Sequence, residues 1–265
     1  MGFNELSPDQ FHLVPKNEIY TRFPLINAVV SGVQCGKVFI NESNESLITH
    51  KAGFSLIAIN PYSGHENELV DFFENSVHLP AYFHVYSPSP LVIDLMEQKK
   101  DSFNLKIRRR IQLRGGANAL SLMNNEKKGN THGLTVCNVN EYNFDSLNDL
   151  GLDLENRFWS SKADFLKNGL GVCMLSEDKK PVSLCYSACL VDDIAEIDIK
   201  THPDYQRTGF GQIVANEFMR LSLQNGITPN WDCFEDNHGS IATALKAGFK
   251  VVHKYQFVSV FNKKR

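Results

Sequence analysis

The stretch from Ala195 to Gln224 constrains the fold more than any other. An alternating segment there runs into a glycine-bearing loop and then into an amphipathic helix. Ile197, Ile199 and Thr201 fall on one face of the segment, and Glu196, Asp198 and Lys200 on the other. That is the period of a half-buried strand. From Phe210 to Gln224, Phe210, Ile213, Val214, Phe218 and Leu221 form the stripe of a helix packed on a core. The connecting residues are His202-Pro203-Asp204-Tyr205-Gln206-Arg207-Thr208-Gly209. The loop has the makings of an anion cradle. A helix N-terminus offers unpaired N–H groups and a partial positive charge. Gly209 and Gly211 let the backbone approach a pyrophosphate, and Arg207 adds a charged donor. A P-loop would need a lysine after its second glycine, and a Rossmann fingerprint would need three glycines. The pattern present is Q-x-x-G-x-G, which suits a tight strand-to-helix turn equally well.

The segments after residue 133 extend this picture. Strands are predicted at Leu134 to Val139, Gly171 to Leu175, Val182 to Val191, Ala195 to Thr201, Asn230 to Phe234 and Val251 to Phe261. Helices are predicted within Asp145 to Asn168, over Phe210 to Gln224 and over Ser240 to Ala247, the last closed by Gly248. The order gives an α+β (α/β) fold, a central sheet flanked by helices. Before residue 115, short strands at Lys37 to Asn41, Ser46 to Thr49, Ser55 to Ile59, Ala81 to Tyr86 and Leu105 to Leu113 alternate with helices at Glu66 to Asn75 and Leu91 to Gln98. Lys106, Arg108, Arg109, Arg110 and Arg114 make the last strand basic, which reads first as a solvated face. Gly, Asn and Lys crowd residues 115–133. A boundary is therefore expected there, with a smaller N-terminal α/β domain at 1–125 and a second domain at 126–265.

Composition excludes several classes. The 265 residues are 42% apolar and 22% charged, which argues against disordered, collagen-like and coiled-coil chains. A net charge of −3 does not by itself hold a chain to nucleic acid. The cysteines Cys35, Cys137, Cys173, Cys185, Cys189 and Cys233 form no C-x-x-C pair, so reduced thiols are expected and a zinc site is not. The N-terminus lacks the apolar core of a signal peptide, and no apolar run approaches a membrane span. A soluble, cytoplasmic chain with no membrane, metal or nucleic-acid partner is the expectation.

On these residues the chain resembles the GNAT superfamily of acyl-CoA-dependent N-acyltransferases. Ile197-Asp198-Ile199-Lys200-Thr201, Pro203 and Gln206-x-x-Gly209-x-Gly211 look like that superfamily's motif A. Asn237-x-x-Ser240 with Ala247-Gly248-Phe249 looks like its motif B. The run Gly226-Ile227-Thr228-Pro229-Asn230-Trp231-Asp232-Cys233 resembles the zwittermicin-resistance branch, whose members carry an extra N-terminal domain. The resemblance spans roughly residues 134–261. It implies acetyl-CoA as acyl donor, with no metal, and an N-acetyltransferase acting by direct attack of a primary amine on the thioester. The backbone of Ile199 and Thr201 would pair with the pantetheine arm. Gln206, Arg207, Thr208, Gly209, Phe210, Gly211 and Gln212 would form the pyrophosphate loop. Asn237 would hydrogen-bond near the pantetheine or the adjacent backbone, and Ser240 would cap the following helix beside the cofactor; Asn237 as an N-cap and no more is the structural alternative.

Direct transfer needs a base for the amine, donors for the oxyanion and a proton for the leaving thiolate. Glu196 is the first candidate base and Asp198 the second; an exposed face or an ion pair with Lys200 is the structural alternative for each. The family's motif-B tyrosine position is occupied by Ala244, so the acid is left among Tyr255, Cys233, His238 and water. The branch implies a small, antibiotic-like amine, with one wall of its site expected from the N-terminal domain. Peptide or protein amines, and a non-catalytic acyl-CoA sensor, stay open alternatives. A homodimer is the assembly considered.

Overall fold

The computed structural model describes residues 2–15, 18–60, 63–116, 131 and 133–265. In chain order its main elements are β1 (Asn4–Leu6), α1 (Glu18–Arg22), α2 (Pro24–Val30), β2 (Gly36–Ile40), β3 (Ser46–His50), β4 (Phe54–Ala58), α3 (Glu66–Asn75), β5 (Tyr82–Tyr86), α4 (Pro90–Gln98) and β6 (Phe103–Arg114). There follow β7 (Thr135–Asn138), α5 (Leu154–Arg157), α6 (Lys162–Asn168), β8 (Gly171–Leu175), β9 (Pro181–Val191), β10 (Ile194–Thr201), α7 (Phe210–Gln224), β11 (Thr228–Phe234), α8 (His238–Lys246) and β12 (Lys250–Asn262). The chain divides into two compact units, Met1–Arg110 with Lys254–Arg265, and Ile111–His253. The boundary expected between residues 125 and 126 lies outside the described residues.

In the first unit the strands run in the order β1-β2-β3-β4-β5-β12. Neighbours are antiparallel except β4 and β5, which are parallel. One core joins Phe39, Leu47, Phe83, Val85, Val258 and Val260 of the sheet to Leu69, Val70 and Phe73 of α3 and Val92, Ile93 and Met96 of α4. The Ser89 hydroxyl caps α4 by accepting from Val92 N (3.3 Å). The sequence pattern does not announce β1, α1 or α2. The run Leu25-Ile26-Asn27-Ala28-Val29 is buried throughout, so no polar face marks its helical period.

One ionic cluster in this unit sets a pH limit. Glu74 accepts from Lys264, Lys99 and Ser102. These contacts hold its carboxyl down to about 2, from an ordinary 4.5, with Lys264 the largest cause. Its stabilisation is complete above the ordinary value and is lost as pH falls toward 2. Wild type is therefore expected to lose this contribution across about pH 4.5 to 2, in denaturant unfolding followed by circular dichroism. Glu74→Gln should be less stable at neutral pH and show a flatter dependence of stability on pH over the same window. An unchanged acid limb in that variant would remove the assignment.

The second unit carries the strand order β11-β10-β9-β8-β7. β9 and β10 form a hairpin whose two-residue turn, Asp192-Asp193, has both residues at positive φ (47° and 57°). That is the twist a tight hairpin requires, and aspartate tolerates it. β10 and β11 are parallel and joined through α7. On one face Phe210, Val214, Ala215, Phe218 and Met219 of α7 pack with Val172, Met174, Val182, Cys185, Ala195 and Ile197. On another, ring contacts join Tyr186 to Phe165 (6.4 Å), and Phe165 to Trp159 (5.6 Å) and Phe144 (5.4 Å). The result is a mixed sheet between helical layers, as the strand and helix order predicts.

Candidate active site

Parallel pairing between β10 and β11 covers only Ile194↔Thr228, Ala195↔Pro229 and Glu196↔Asn230. β10 keeps pairing with β9 as far as Thr201↔Ser183. Both strands therefore run on past their last shared rung, and a slot opens between them beyond Glu196. A bulge against β9 falls at the same place, between Glu196 and Ile197. Glu196 pairs with Cys189 and Ile197 with Ser187, so the extra residue is Ala188 and β9 is the strand that bends there.

Glu196 sits at that fork and is only 7% exposed. Its Oε2 accepts from Asn230 Nδ2 at 2.6 Å, and Asn230 Oδ1 accepts from Arg114 Nε at 3.2 Å. A buried carboxylate is tolerable only with such donors. The contact also ties together the two residues that form the last rung. Neither structural alternative for Glu196, an exposed face or a Lys200 pair, matches this geometry. Cys189, opposite Glu196 on β9, is pushed well above its usual thiol value by burial and then by the carboxylate.

Asp198 is held differently. Arg157 Nη1 donates to its Oδ2 at 2.8 Å and the Tyr186 hydroxyl donates to the same oxygen at 3.0 Å. Its ion-pair partner is thus Arg157 of α5. Burial, then Asp198, pushes the Tyr186 phenol well above its ordinary value, so it remains a donor. Asp198 Oδ1 accepts from Ile199 N at 2.9 Å. The Ile199 N–H, whose backbone was expected to pair with the pantetheine arm, is therefore engaged by a neighbouring carboxylate here. Asn230, Arg114, Arg157 and Tyr186 carry no local sequence signal, because their roles come from rungs and long-range contacts.

The loop begins where β10 ends. Thr201 Oγ1 bonds Ser183 Oγ (2.8 Å), and Thr201 O accepts from Gln206 Nε2 (3.4 Å). Thr208 Oγ1 donates to Tyr205 O, and the Tyr205 ring lies 6.1 Å from the buried Phe210. Arg207 and Gly209 both have positive φ, 64° and 89°. Gly209 is the N-cap of α7, and no side chain caps that first turn. A Cβ on Gly209 would meet nothing within 4 Å, whereas one on Gly211 would lie 3.2 Å from Thr201 Oγ1. Gly211 thus serves the close approach of helix to strand, and Gly209 leaves open space over the helix start. Those features fit a pyrophosphate. The Gln212 amide, turned to satisfy its neighbours, donates to Thr243 O (3.1 Å) and accepts from Ala247 N (3.0 Å), linking α7 to α8.

Motif B departs from expectation in one respect. Asn237 is the cap of α8, its Oδ1 accepting from Ser240 N at 3.1 Å. Ser240 lies inside the helix, and its hydroxyl accepts from Trp231 Nε1 at 2.9 Å. The capping role expected of Ser240 is therefore filled by Asn237. Both residue types cap well, and only the backbone trace decides between them. Ala244 is fully buried in the core, Cys233 is buried, and Tyr255 packs on Phe23 (5.1 Å) and Tyr86 (5.9 Å). Among the described residues, no group of three or more His, Cys, Asp and Glu could hold a metal ion, and no helix is long and apolar enough to cross a membrane.

A mixed sheet splayed between two parallel strands, with a strand–glycine loop–helix at one of them, is the architecture of acyl-CoA transferases of the GNAT fold. The chain belongs to the GNAT acetyltransferase family, whose profile matches residues 17–258. The match reaches into both units and so extends well beyond the second-half resemblance. Uncharacterized N-acetyltransferase YdfB of Bacillus subtilis strain 168 is 41% identical over 98 residues, 37% of either chain. A GCN5-related N-acetyltransferase-like protein from Streptococcus suis 89/1591 superposes with a TM-score of 0.69 at 18% identity, covering 95% of this chain and 98% of that one. A GCN5-related N-acetyltransferase from Kribbella flavida gives 0.60 at 13% identity, covering 92% and 96%. At those identities the likeness is one of fold.

Proposed function

We propose that this chain is an N-acetyltransferase that moves an acetyl group from acetyl-CoA to the primary amine of a small molecule. The observation that carries the reading is the buried Glu196 carboxylate at the fork of β10 and β11. From there to Thr201, β10 runs five residues, about 17 Å of strand. That is the order of length an extended pantetheine arm needs between thioester and pyrophosphate. Acetyl-CoA would bring the activated acyl group. The backbone amides of residues 207–212 would hold its pyrophosphate, with Gln206 and Arg207 at the rim. The edge of β10 at Ile199 and Thr201 would pair with the arm, displacing Asp198 Oδ1 from the Ile199 N–H, and Asn237 would fix the start of α8 beside it.

Glu196 would take the proton from the attacking ammonium, with Asn230 holding the carboxylate in place at the fork. Asp198 would orient the site through Arg157 and Tyr186 and stands second as base. In this reading the unit Ile111–His253 is catalytic and the unit of Met1–Arg110 with Lys254–Arg265 accessory, in place of a division between residues 125 and 126, and the zwittermicin-type string favours a small amine over a peptide. An acyl-CoA sensor without turnover is the second reading, favoured by Ala244 at the tyrosine position. A panel of primary amines, including aminoglycoside-like and peptide amines, tested for release of free CoA thiol separates the two. Amine-dependent release supports transfer. Tight acetyl-CoA binding with no release across the panel supports the sensor.

A further inference from the structure

Cys137 on β7 and Cys173 on β8 lie directly opposite in an antiparallel ladder. Their sulfurs are 3.6 Å apart. Val139 N donates to Gly171 O at 2.8 Å, so residues 139 and 171 form a hydrogen-bonded rung, and alternation makes 137 and 173 another. Such rungs hold their Cα atoms about 5.5 Å apart, inside the ~4.4–6.8 Å range that a disulfide spans. Hydrogen-bonded rungs set Cβ atoms wider apart than the ~3.5–4.5 Å a disulfide uses, so closing the bond asks for side-chain rotation and a local drawing-together of β7 and β8. Two other strand cysteines of this sheet are placed differently, with Cys185 opposite Val172 and Ile199, and Cys189 opposite Glu196.

The two sulfurs are unequal. Cys173 is buried, while Cys137 is partly exposed and also receives the Asn143 amide (Nδ2 to Sγ, 3.6 Å). The hydrogen bond from Cys173, aided by Asn143 and opposed by burial, holds the Cys137 thiol down to about 7. The same contact, with burial, raises Cys173. Thiolate character sits on the sulfur that an outside reagent meets first, and a buried resolving thiol stands behind it.

We propose that Cys137 and Cys173 are a redox modification site that forms a cross-strand disulfide by exchange with low-molecular-weight disulfides. The Cys137 thiolate attacks one sulfur of the small disulfide, forming a mixed disulfide and releasing one small thiolate. Cys173 gives up its proton to that thiolate, and its sulfur attacks Cys137 Sγ, expelling the second small thiolate, which takes back from solvent the proton that Cys137 had released. Two protein thiols become one cystine, and one small disulfide becomes two small thiols.

The test uses full-length protein with Cys35→Ser, which removes the exposed thiol. Incubation with oxidised glutathione is expected to lower the intact mass by about 2 Da, the loss of two hydrogens, and to remove two titratable thiols. Dithiothreitol should restore both. Peptide mapping should find Cys137 joined to Cys173. With Cys173→Ser, Cys137 should instead retain a glutathione adduct; Cys137→Ser, at the more exposed position, should show neither product. A glutathione adduct that persists on Cys137 while Cys173 is present would overturn the proposal. So would a thiol count unchanged by the oxidant.

Discussion

Glu196→Gln is expected to lower amine-dependent turnover by about 10²–10⁴-fold, the usual worth of a general base, while acetyl-CoA affinity stays at the wild-type level. The carboxamide can still accept from Asn230 Nδ2, so the 2.6 Å contact at the fork has an isosteric replacement. What it cannot do is take a proton. Steady-state kinetics on any amine that wild type accepts, with calorimetry for acetyl-CoA, reads both quantities. Asn230→Ala provides the contrast. It leaves a buried carboxylate short of a donor, which costs about 1–3 kcal/mol and lowers Tm as well as rate. Wild-type turnover in Glu196→Gln would move the base elsewhere, with Asp198 the next candidate.

Gly209→Val is expected to weaken acetyl-CoA binding by at least about tenfold, or ~1.4 kcal/mol. Its side chain would stand in the open space over the start of α7, where a Cβ has no neighbour within 4 Å. Valine also strains a backbone held at φ 89°. Gly209→Asn separates the causes, because asparagine tolerates the left-handed region while still filling the space. Loss of binding in both variants, with Tm preserved in the second, assigns the effect to crowding. Wild-type affinity in Gly209→Asn would show that the cradle does not contact the ligand.

Local periodicity located much of this fold. Phe210–Gln224 and Glu66–Asn75 follow the predicted limits because each presents a helical period and a recognisable end, and Gly171–Leu175 follows them as a short apolar run bounded by Gly169 and by the polar turn after Leu175. The strand carrying Glu196 and Asp198 was likewise legible, including which residues share a face. Its consequences were not. That Asn230 completes Glu196, or Arg157 and Tyr186 hold Asp198, depends on register and on elements 12 to 41 residues away. Nothing local encodes such partners. The glycines show the same division: the Q-x-x-G-x-G spacing marks a turn, but only the surroundings distinguish Gly211, wedged against Thr201, from Gly209, open above the helix start.

The first unit takes its last strand from the C-terminal residues, with Lys254–Arg265 joined to Met1–Arg110. During synthesis, Val258 and Val260 reach their core only after every residue of the second unit has left the ribosome. Until then β5 lacks the partner with which it pairs from Phe257 to Phe261, and it presents an open hydrogen-bonding edge. A released chain ending near residue 250 would thus hold every residue of the β10–β11 fork and an incomplete first unit, and the aggregation hazard would belong to the part translated first.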